Sequence, residues 1–241
     1  MISRSRLAEL KAKLDACRPL TPGELERLRE QFTIKYTYNS NAIEGNTLTL
    51  RETALVLEGI TIGEKPLKDH LEAIGHRDAF ACVERLVSEK EPLTEWRIRE
   101  IHSLVLMDRP EDKGRYRKVP VVIAGAFHTP TEPLLIHEEM AALLKDFAAT
   151  DKNAVEAAAL FHLRFEDIHP FIDGNGRTGR LLLNFMLMQA GFPPVNVKYS
   201  DRRRYYAAFD SYYRDGDSAP MTGLVAECLE ARLLEYLKIL D

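Results

Sequence analysis

Residues 168–180 combine residue types that can bind a phosphate and transfer a proton. The sequence there is Ile-His-Pro-Phe-Ile-Asp-Gly-Asn-Gly-Arg-Thr-Gly-Arg, and it lies between two segments with the apolar spacing of helices. Pro170 disfavours helical geometry at His169, so the first helix should end there and leave the imidazole at a loop edge. Gly174 and Gly176 then permit a tight turn with free N–H groups where the second helix begins.

The start of this second helix is predicted to bind an anion. Free backbone N–H groups and the positive end of the helix dipole attract negative charge, and Arg177 and Arg180 lie three residues apart on the first turns. Two cations at the positive end of a helix are unfavourable unless an anion offsets them. The pattern therefore favours a polyphosphate ligand over two unrelated surface charges.

Asp173 and His169 add a metal ligand and a base to this prediction. A carboxylate beside phosphate is unfavourable unless a divalent cation lies between them, and Mg²⁺ commonly binds one or two carboxylates together with phosphate oxygens. His169 titrates near neutral pH and can accept a proton from an attacking hydroxyl. The expected chemistry is transfer by positioning and charge neutralisation, without a covalent enzyme intermediate. Phe171 is expected to point inward and anchor the loop.

Two other interpretations of the same residues agree less well with the sequence. Gly174, Gly176 and Gly179 have the dinucleotide-binding spacing G-x-G-x-x-G, but that motif follows a strand, and a helical pattern precedes it here. The histidine and acidic residues between 162 and 169 resemble a metal cluster, but they do not share one face of a helix.

The rest of the chain predicts an α-rich globular fold. Of the 241 residues, 45% are hydrophobic and 29% charged, and a net charge of -4 disfavours general nucleic-acid binding. The three cysteines lack disulfide or zinc spacing and are expected to be buried thiols. No apolar run is long enough to predict a membrane span, so we expect a cytoplasmic protein.

Capping residues, glycines and prolines divide the chain into helices. Capping boxes begin at Thr21 and Thr49, Gly45 suits the left-handed position after the first of these helices, and Pro66 begins another. The predicted helices span 21–44, 49–58, 66–90, 94–105, 137–149, 153–167, 176–190, 201–214 and 220–239. The β-branched run within 116–128, bounded by glycine and proline, instead predicts a strand or β-hairpin.

Residues 169–180 resemble the signature of the Fic family, H-P-F-x-[D/E]-G-N-G-R-x-x-R, at every fixed position. The resemblance extends over most of the chain and implies an all-α Fic fold, a helical bundle with a small β-hairpin flap. It implies an N-terminal helical region, 1–65, packed as one unit with a catalytic domain, 66–241. The implied activity is transfer of AMP from ATP, with Mg²⁺, to a Ser, Thr or Tyr hydroxyl of a target protein.

The resemblance also implies roles for individual residues. His169 would be the base, Asp173 would hold Mg²⁺, and Arg177 and Arg180 would complete the phosphate cradle. The flap, residues 121–128, would clamp the target protein. The other nucleotide-binding residues that the resemblance implies are Gly174, Asn175, Gly176, Thr178, Gly179, Val122, Ile123, Ala124, Gly125, Tyr205, Tyr206 and Tyr213.

A second resemblance concerns the hexapeptide Ser40-Asn41-Ala42-Ile43-Glu44-Gly45, which is similar to the family's inhibitory motif [S/T]-x-x-x-E-[G/N]. Glu44 would pair with Arg180 and remove the cation that orients the γ-phosphate. The expected enzyme is therefore autoinhibited, and a homodimer that buries this region is an expectation from the family. Removal of AMP, a different phosphate-containing donor, and a non-catalytic nucleotide-binding regulator remain alternatives. The sequence does not identify the target protein.

Overall fold

The computed structural model describes residues 4–123 and 128–240. Within these ranges the protein is mostly helical and contains no β-strand. Two short 3₁₀ helices span Pro133–Leu135 and Tyr199–Asp201. The α-helices are α1 Arg4–Ala16, α2 Pro22–Ile43, α3 Leu50–Leu57, α4 Leu67–Ser88, α5 Glu95–Val105, α6 Ile136–Ala148, α7 Ala154–Ile168, α8 Asn175–Gln189, α9 Arg202–Asp215 and α10 Ala219–Leu240.

The nine helices predicted from the sequence are confirmed as α2 to α10. Their ends follow from local chemistry: the Thr21 side chain accepts a hydrogen bond from the Glu24 N–H while the Glu24 carboxylate accepts one from the Thr21 N–H. After α2, Gly45 has a φ of 95°, as predicted. Helix α1 is not predicted, because residues 4–16 alternate charged and apolar side chains without a capping signal.

Helices α7 and α8 form the centre of the bundle. Phe165 on α7 and Leu181 and Phe185 on α8 are fully buried, and burying such a side chain stabilises the fold by about 1.5–3 kcal/mol. Helices α4, α5, α6, α9 and α10 pack around this pair. Leu10 of α1 and Phe32 of α2 belong to the same core, so the N-terminal region is packed into the bundle that carries residues 169–180.

The segment predicted to be a strand or hairpin differs from the helices in being irregular. No strand is assigned to residues 116–123 or 128–131, and residues 124–127 lie outside the described ranges. The hairpin therefore stays a prediction. Because the regular elements of the described ranges are all helices, the fold class is all-α.

The three cysteines differ in how far they are buried. Cys82 is buried, but Cys17 and Cys228 are partly exposed, so the prediction of three buried thiols is wrong for two of them. Cys17 directly follows the last residue of α1, beyond the end of the helix. Among the described helices, none is both long and apolar enough to cross a bilayer.

Candidate active site

The turn between α7 and α8 presents His169 in a strained backbone conformation. Helix α7 ends before this residue, as predicted, and His169 has φ 49° and ψ 61°. A non-glycine residue in this left-handed region costs about 1–3 kcal/mol and persists only where the surroundings fix it. The imidazole is 19% exposed, and its Nδ1 lies 3.5 Å from Oε2 of Glu166. The ring is therefore open to the solvent side of the turn and is not directed into the core.

Asn175 holds the turn closed from the first residue of α8. Its Oδ1 accepts a hydrogen bond from the Phe171 N–H and its Nδ2 donates one to the Phe171 carbonyl, both at 2.9 Å. Phe171 is fully buried, which confirms that it points inward. The Asn175 side chain is thus engaged inside the loop, and only its backbone N–H is left for a ligand at the helix start.

His102 of α5 packs against the same turn and forms a hydrogen bond with its backbone. Its ring stacks on Phe171 at a centroid distance of 3.6 Å and an interplanar angle of 3°. Nδ1 accepts a hydrogen bond from the Gly114 N–H, so Nε2 carries the proton and donates to the Asp173 carbonyl, each at 2.9 Å. Burial lowers the pKa of His102 to about 4, which keeps the ring neutral. His102 therefore fixes the backbone at Asp173.

The Asp173 carboxylate lies at the edge of the site and is ionised. Oδ1 accepts hydrogen bonds from the Gly174 N–H at 2.6 Å and from Arg177 at 3.2 Å, and Oδ2 lies 3.5 Å from Arg109. Burial raises the pKa of Asp173, but Arg177, the Gly174 N–H and Arg109 together lower it by more. The pKa is therefore below its ordinary value. No cluster of three metal-ligating side chains occurs in the described ranges. A metal at Asp173 would take its other ligands from phosphate and water, as Mg²⁺ does.

Arg177 is already held by two carboxylates. The guanidinium is buried, with Nη1 3.0 Å from Glu72 and Nη2 3.2 Å from Asp173. Nε of this guanidinium is buried and has no hydrogen-bond partner among the described residues, so one donor of Arg177 is not used by these carboxylates. The predicted phosphate contact of Arg177 stays a prediction.

Arg180 is the point at which α2 meets α8. Its Nη2 lies 2.8 Å from Oε1 of Glu44, its Nε donates to the Ser40 hydroxyl at 3.0 Å, and its Nη1 donates to the Tyr205 hydroxyl at 3.2 Å. Burial lowers the pKa of Arg180, but Tyr205 and Glu44 raise it to above its ordinary value, so the group stays charged. The contact between Glu44 and Arg180 that the hexapeptide predicts is present.

The Glu44 carboxylate also covers the start of α8. A β-carbon placed on Gly176 would lie 2.2 Å from Oε1 of Glu44. This close approach is possible only for glycine. The carboxylate therefore occupies the space next to the first free N–H groups of α8, where the sequence predicts an anion.

A cavity of about 500 Å³ opens beside Glu44 and His169. Its size is within the range of small-molecule sites, which is roughly 300–1,000 Å³. The predicted residues that line it are Glu44, Ile123, His169, Gly176, Tyr205, Tyr206 and Tyr213. Tyr206 donates a hydrogen bond to the Ile43 carbonyl at 3.1 Å, and Tyr213 stacks on His128 at 4.3 Å.

Several residues predicted to bind the nucleotide do not line this cavity. Thr178 is fully buried, and Gly179 faces His162 and Glu166 of α7, so neither lines the cavity. Val122 is 92% exposed. Ala124 and Gly125 lie outside the described residues. Their predicted nucleotide contacts stay predictions.

Known proteins resemble this chain over nearly its whole length. Residues 92–187 match the Fic/DOC family model. The protein adenylyltransferase Fic of Nematostella vectensis is 35% identical over 98% of this chain, which spans 56% of that protein. The chain spans roughly half of the other curated relatives that it matches.

Two solved structures share the fold. The Fic-1 protein of C. elegans (residues 134–508) is 31% identical with a TM-score of 0.86, covering 98% of this chain and 71% of that one. A Fic domain containing signaling protein from Bacteroides thetaiotaomicron is 31% identical with a TM-score of 0.89, covering 98% of this chain and 97% of that one. The chain belongs to the Fic/DOC family.

In this Fic-family chain, several residues that shape the site are not predicted by the sequence. Glu166, Arg202, Phe209 and Asp210 also line the cavity. His102, Arg117 and Glu72 contact the loop from other elements. Apart from Glu166, which belongs to the metal-cluster pattern between residues 162 and 169, none of these residues stands at a spacing that indicates a site. Their roles depend on which helices pack together.

Proposed function

We propose that this Fic-family protein transfers AMP from ATP to a Ser, Thr or Tyr hydroxyl of a target protein and that Glu44 keeps it in a low-activity state. The observation that carries the proposal is one cavity that is lined by His169, by Gly176 at the start of α8 and by three tyrosines. Relatives that are 34–35% identical and are named protein adenylyltransferases support it.

The phosphates of ATP would bind the backbone N–H groups of Gly174, Asn175 and Gly176 at the start of α8. Of these, the Gly174 N–H donates to Asp173 in the structure and would have to change partner. Arg180 would join them once Glu44 releases it. Arg177 would contribute the Nε donor that has no partner among the described residues. The Tyr205, Tyr206 and Tyr213 side chains line the cavity and offer aromatic surface for the base. Ile123 also lines the cavity, and Val122, Ala124 and Gly125 would border the nucleotide.

His169 would act as the general base of the transfer. The target hydroxyl gives its proton to the imidazole as its oxygen bonds to the α-phosphorus, the bond from the α-phosphorus to the bridging oxygen breaks, and pyrophosphate leaves. Glu166, at 3.5 Å from Nδ1, stabilises the protonated ring. His102 and Asn175 hold the turn so that the ring stays directed at the reacting hydroxyl.

Asp173 would hold the Mg²⁺ ion. It is an ionised carboxylate beside the predicted phosphate site, and its carbonyl is fixed by His102. When bound, the ion neutralises phosphate charge. The flap, residues 121–128, would form a hairpin that docks the target protein. We also propose that the protein forms a homodimer and that it is cytoplasmic.

Glu44 would inhibit the enzyme by competing with the nucleotide for Arg180 and for the space above Gly176. A charge-assisted hydrogen bond contributes about 1.5–3 kcal/mol, so its loss in Glu44→Gly should raise protein labelling by radioactive ATP by about 10- to 100-fold. Adding His169→Ala to this variant should abolish the labelling. Both results would be measured as incorporated label in the protein itself and in a lysate.

Glu58 provides a matched control for this experiment. It caps α3 as Glu44 caps α2, and a left-handed glycine follows each of them, but Glu44 pairs with Arg180 whereas Glu58 forms no ion pair within the described ranges. Glu58→Gly should leave labelling at the wild-type level. A Glu44→Gly protein that labels no better than wild type would remove the inhibitory role, and activity that survives His169→Ala would remove the proposed base.

A further inference from the structure

Arg117 contributes an additional buried cation to the active site. Its side chain is 5% exposed, and no carboxylate in the described ranges forms an ion pair with it. The guanidinium instead donates hydrogen bonds to four backbone carbonyls. Burial lowers the pKa of Arg117, and Glu132 raises it only in part. A buried charge without a carboxylate is unfavourable, so its carbonyl bonds must be well formed to keep it there.

Three consecutive carbonyls at the end of α7 bind this one residue. The Arg117 Nε donates to the His169 carbonyl at 2.8 Å, its Nη2 donates to the Ile168 carbonyl at 3.3 Å, and its backbone N–H donates to the Pro170 carbonyl at 2.9 Å. Carbonyls at a helix C-terminus lack intrahelical partners and lie at the negative end of the dipole. Arg117 satisfies them and fixes the turn where His169 is strained.

The same guanidinium also binds the chain on both sides of the predicted flap. Nη1 donates to the Val119 carbonyl at 3.0 Å, and Nη2 donates to the Thr131 carbonyl. Residues 119 and 131 come shortly before and after the flap residues 121–128. One side chain therefore joins the base of the flap to the turn that carries His169.

We propose that Arg117 is a positioning residue, which fixes the left-handed backbone of His169 and holds the base of the flap against this turn. The inference rests on the proposed transferase function, because it assigns the alignment of the imidazole with the target hydroxyl to these bonds. A lysine offers donors on a single nitrogen and cannot reach four separate carbonyls, whereas the planar guanidinium can.

The test replaces Arg117 in the Glu44→Gly protein, where labelling is measurable. Arg117→Met should lower the labelling rate at saturating Mg-ATP by about 100-fold, since a displacement of about 1 Å has that effect. The Kd for Mg-ATP, measured by calorimetry, should change by less than about threefold, because the lost contact serves the reaction and not nucleotide binding. Arg117→Lys should restore part of the rate.

Amide hydrogen exchange tests the contact without any activity. In Arg117→Met, residues 165–172 and 117–123 should exchange at least about tenfold faster than in the parent, because the carbonyls at the end of α7 lose their partner. This measurement also applies if the parent protein shows no labelling, so failure of the proposed function and failure of the positioning role remain distinguishable.

Arg232→Met is the matched control. Arg232 is 7% exposed, lies on α10 and packs against Phe32 and Tyr236, away from the cavity. This variant loses a buried arginine as well, but it should keep the labelling rate and the exchange of 165–172. The positioning role is rejected if Arg117→Met and Arg117→Lys leave exchange at 165–172 unchanged, if they loosen it in an active parent without slowing labelling, or if Arg232→Met has the same effects.

Discussion

At the scale of single residues, the site depends on buried polar groups whose protonation is set by their surroundings. Nε2 of His162 lies 2.6 Å from the Tyr205 hydroxyl, next to Arg180. Burial, and to a smaller extent the charge of Arg180, lower the pKa of His162 to about 3. The ring is therefore neutral in the folded protein and links the cavity wall to the centre of the bundle.

This histidine makes the stability depend on pH. In the unfolded chain its pKa is about 6.5, so the unfolded state binds a proton below that pH and the folded state does so only near pH 3. The stabilisation is complete above pH 6.5 and is lost as the pH falls from 6.5 towards 3. When the pH falls from 7 to 5, the free energy of unfolding of the wild type should decrease by about 2 kcal/mol more than that of His162→Gln. Urea denaturation at both pH values measures this, and equal losses in variant and wild type would contradict it.

The residues that the sequence predicts best are those that are adjacent in the chain. His169 to Arg180 form one turn and one helix start, so their types and spacing indicate their chemistry before any packing is known. His102 and Arg117 reach the same turn from residues 52 or more positions away, and no local pattern marks them. Thr178 is adjacent too, but the helix rotates its side chain into the core.

At the scale of elements, the close packing of α4 and α5 determines where His102 lies. Gly75 of α4 is buried, and a β-carbon there would lie 2.4 Å from the Leu104 carbonyl on α5. A backbone atom cannot move aside as a flexible side chain can. The approach of these two helices therefore depends on the absence of a side chain at residue 75.

Gly75→Ala should push the two helices apart and destabilise the fold by about 1–3 kcal/mol through overpacking, despite the better helix propensity of alanine. The control is Gly223→Ala on α10, where a β-carbon would meet nothing within 4 Å. It should raise the free energy of unfolding by about 0.5–1 kcal/mol. Urea denaturation of both variants gives the comparison, and a stabilised Gly75→Ala protein would show that the helices adjust freely.

The helices are predictable because their caps and apolar spacing are local, as at Thr21 and Thr49. The segment 116–131 is different. Its β-branched residues predict a hairpin, but its described parts are held by the Arg117 side chain and not by a ladder of strand bonds. A contact between a guanidinium and carbonyls far away in the chain leaves no periodic pattern in the sequence, so it cannot be predicted from spacing.

At the scale of the whole molecule, the helices before and after residue 65 share a core. Leu10 of α1 is buried against the bundle, and Arg6 pairs with Glu230 of α10 at 3.1 Å. The first and last helices are therefore in contact. The sequence predicts packing as one unit, and unfolding experiments can test it.

Leu10→Ala should lower the free energy of unfolding of the entire chain by about 2–5 kcal/mol. Far-ultraviolet circular dichroism and the fluorescence of Trp96, the single tryptophan, should give the same midpoint, because a shared core unfolds together. Leu25→Ala, at a residue that is 51% exposed, should change the free energy by less than about 0.5 kcal/mol. Two separated transitions would show that the regions unfold independently.

Ser40 and Glu44 hold Arg180 from within the same polypeptide. Within one copy of the chain their association is a unimolecular equilibrium, so dilution does not change its position by itself. A ligand that binds the open and closed arrangements with different affinities, or a substitution that favours one of them, moves it. Abundance would act on this contact only through a second copy of the chain, as in the proposed homodimer.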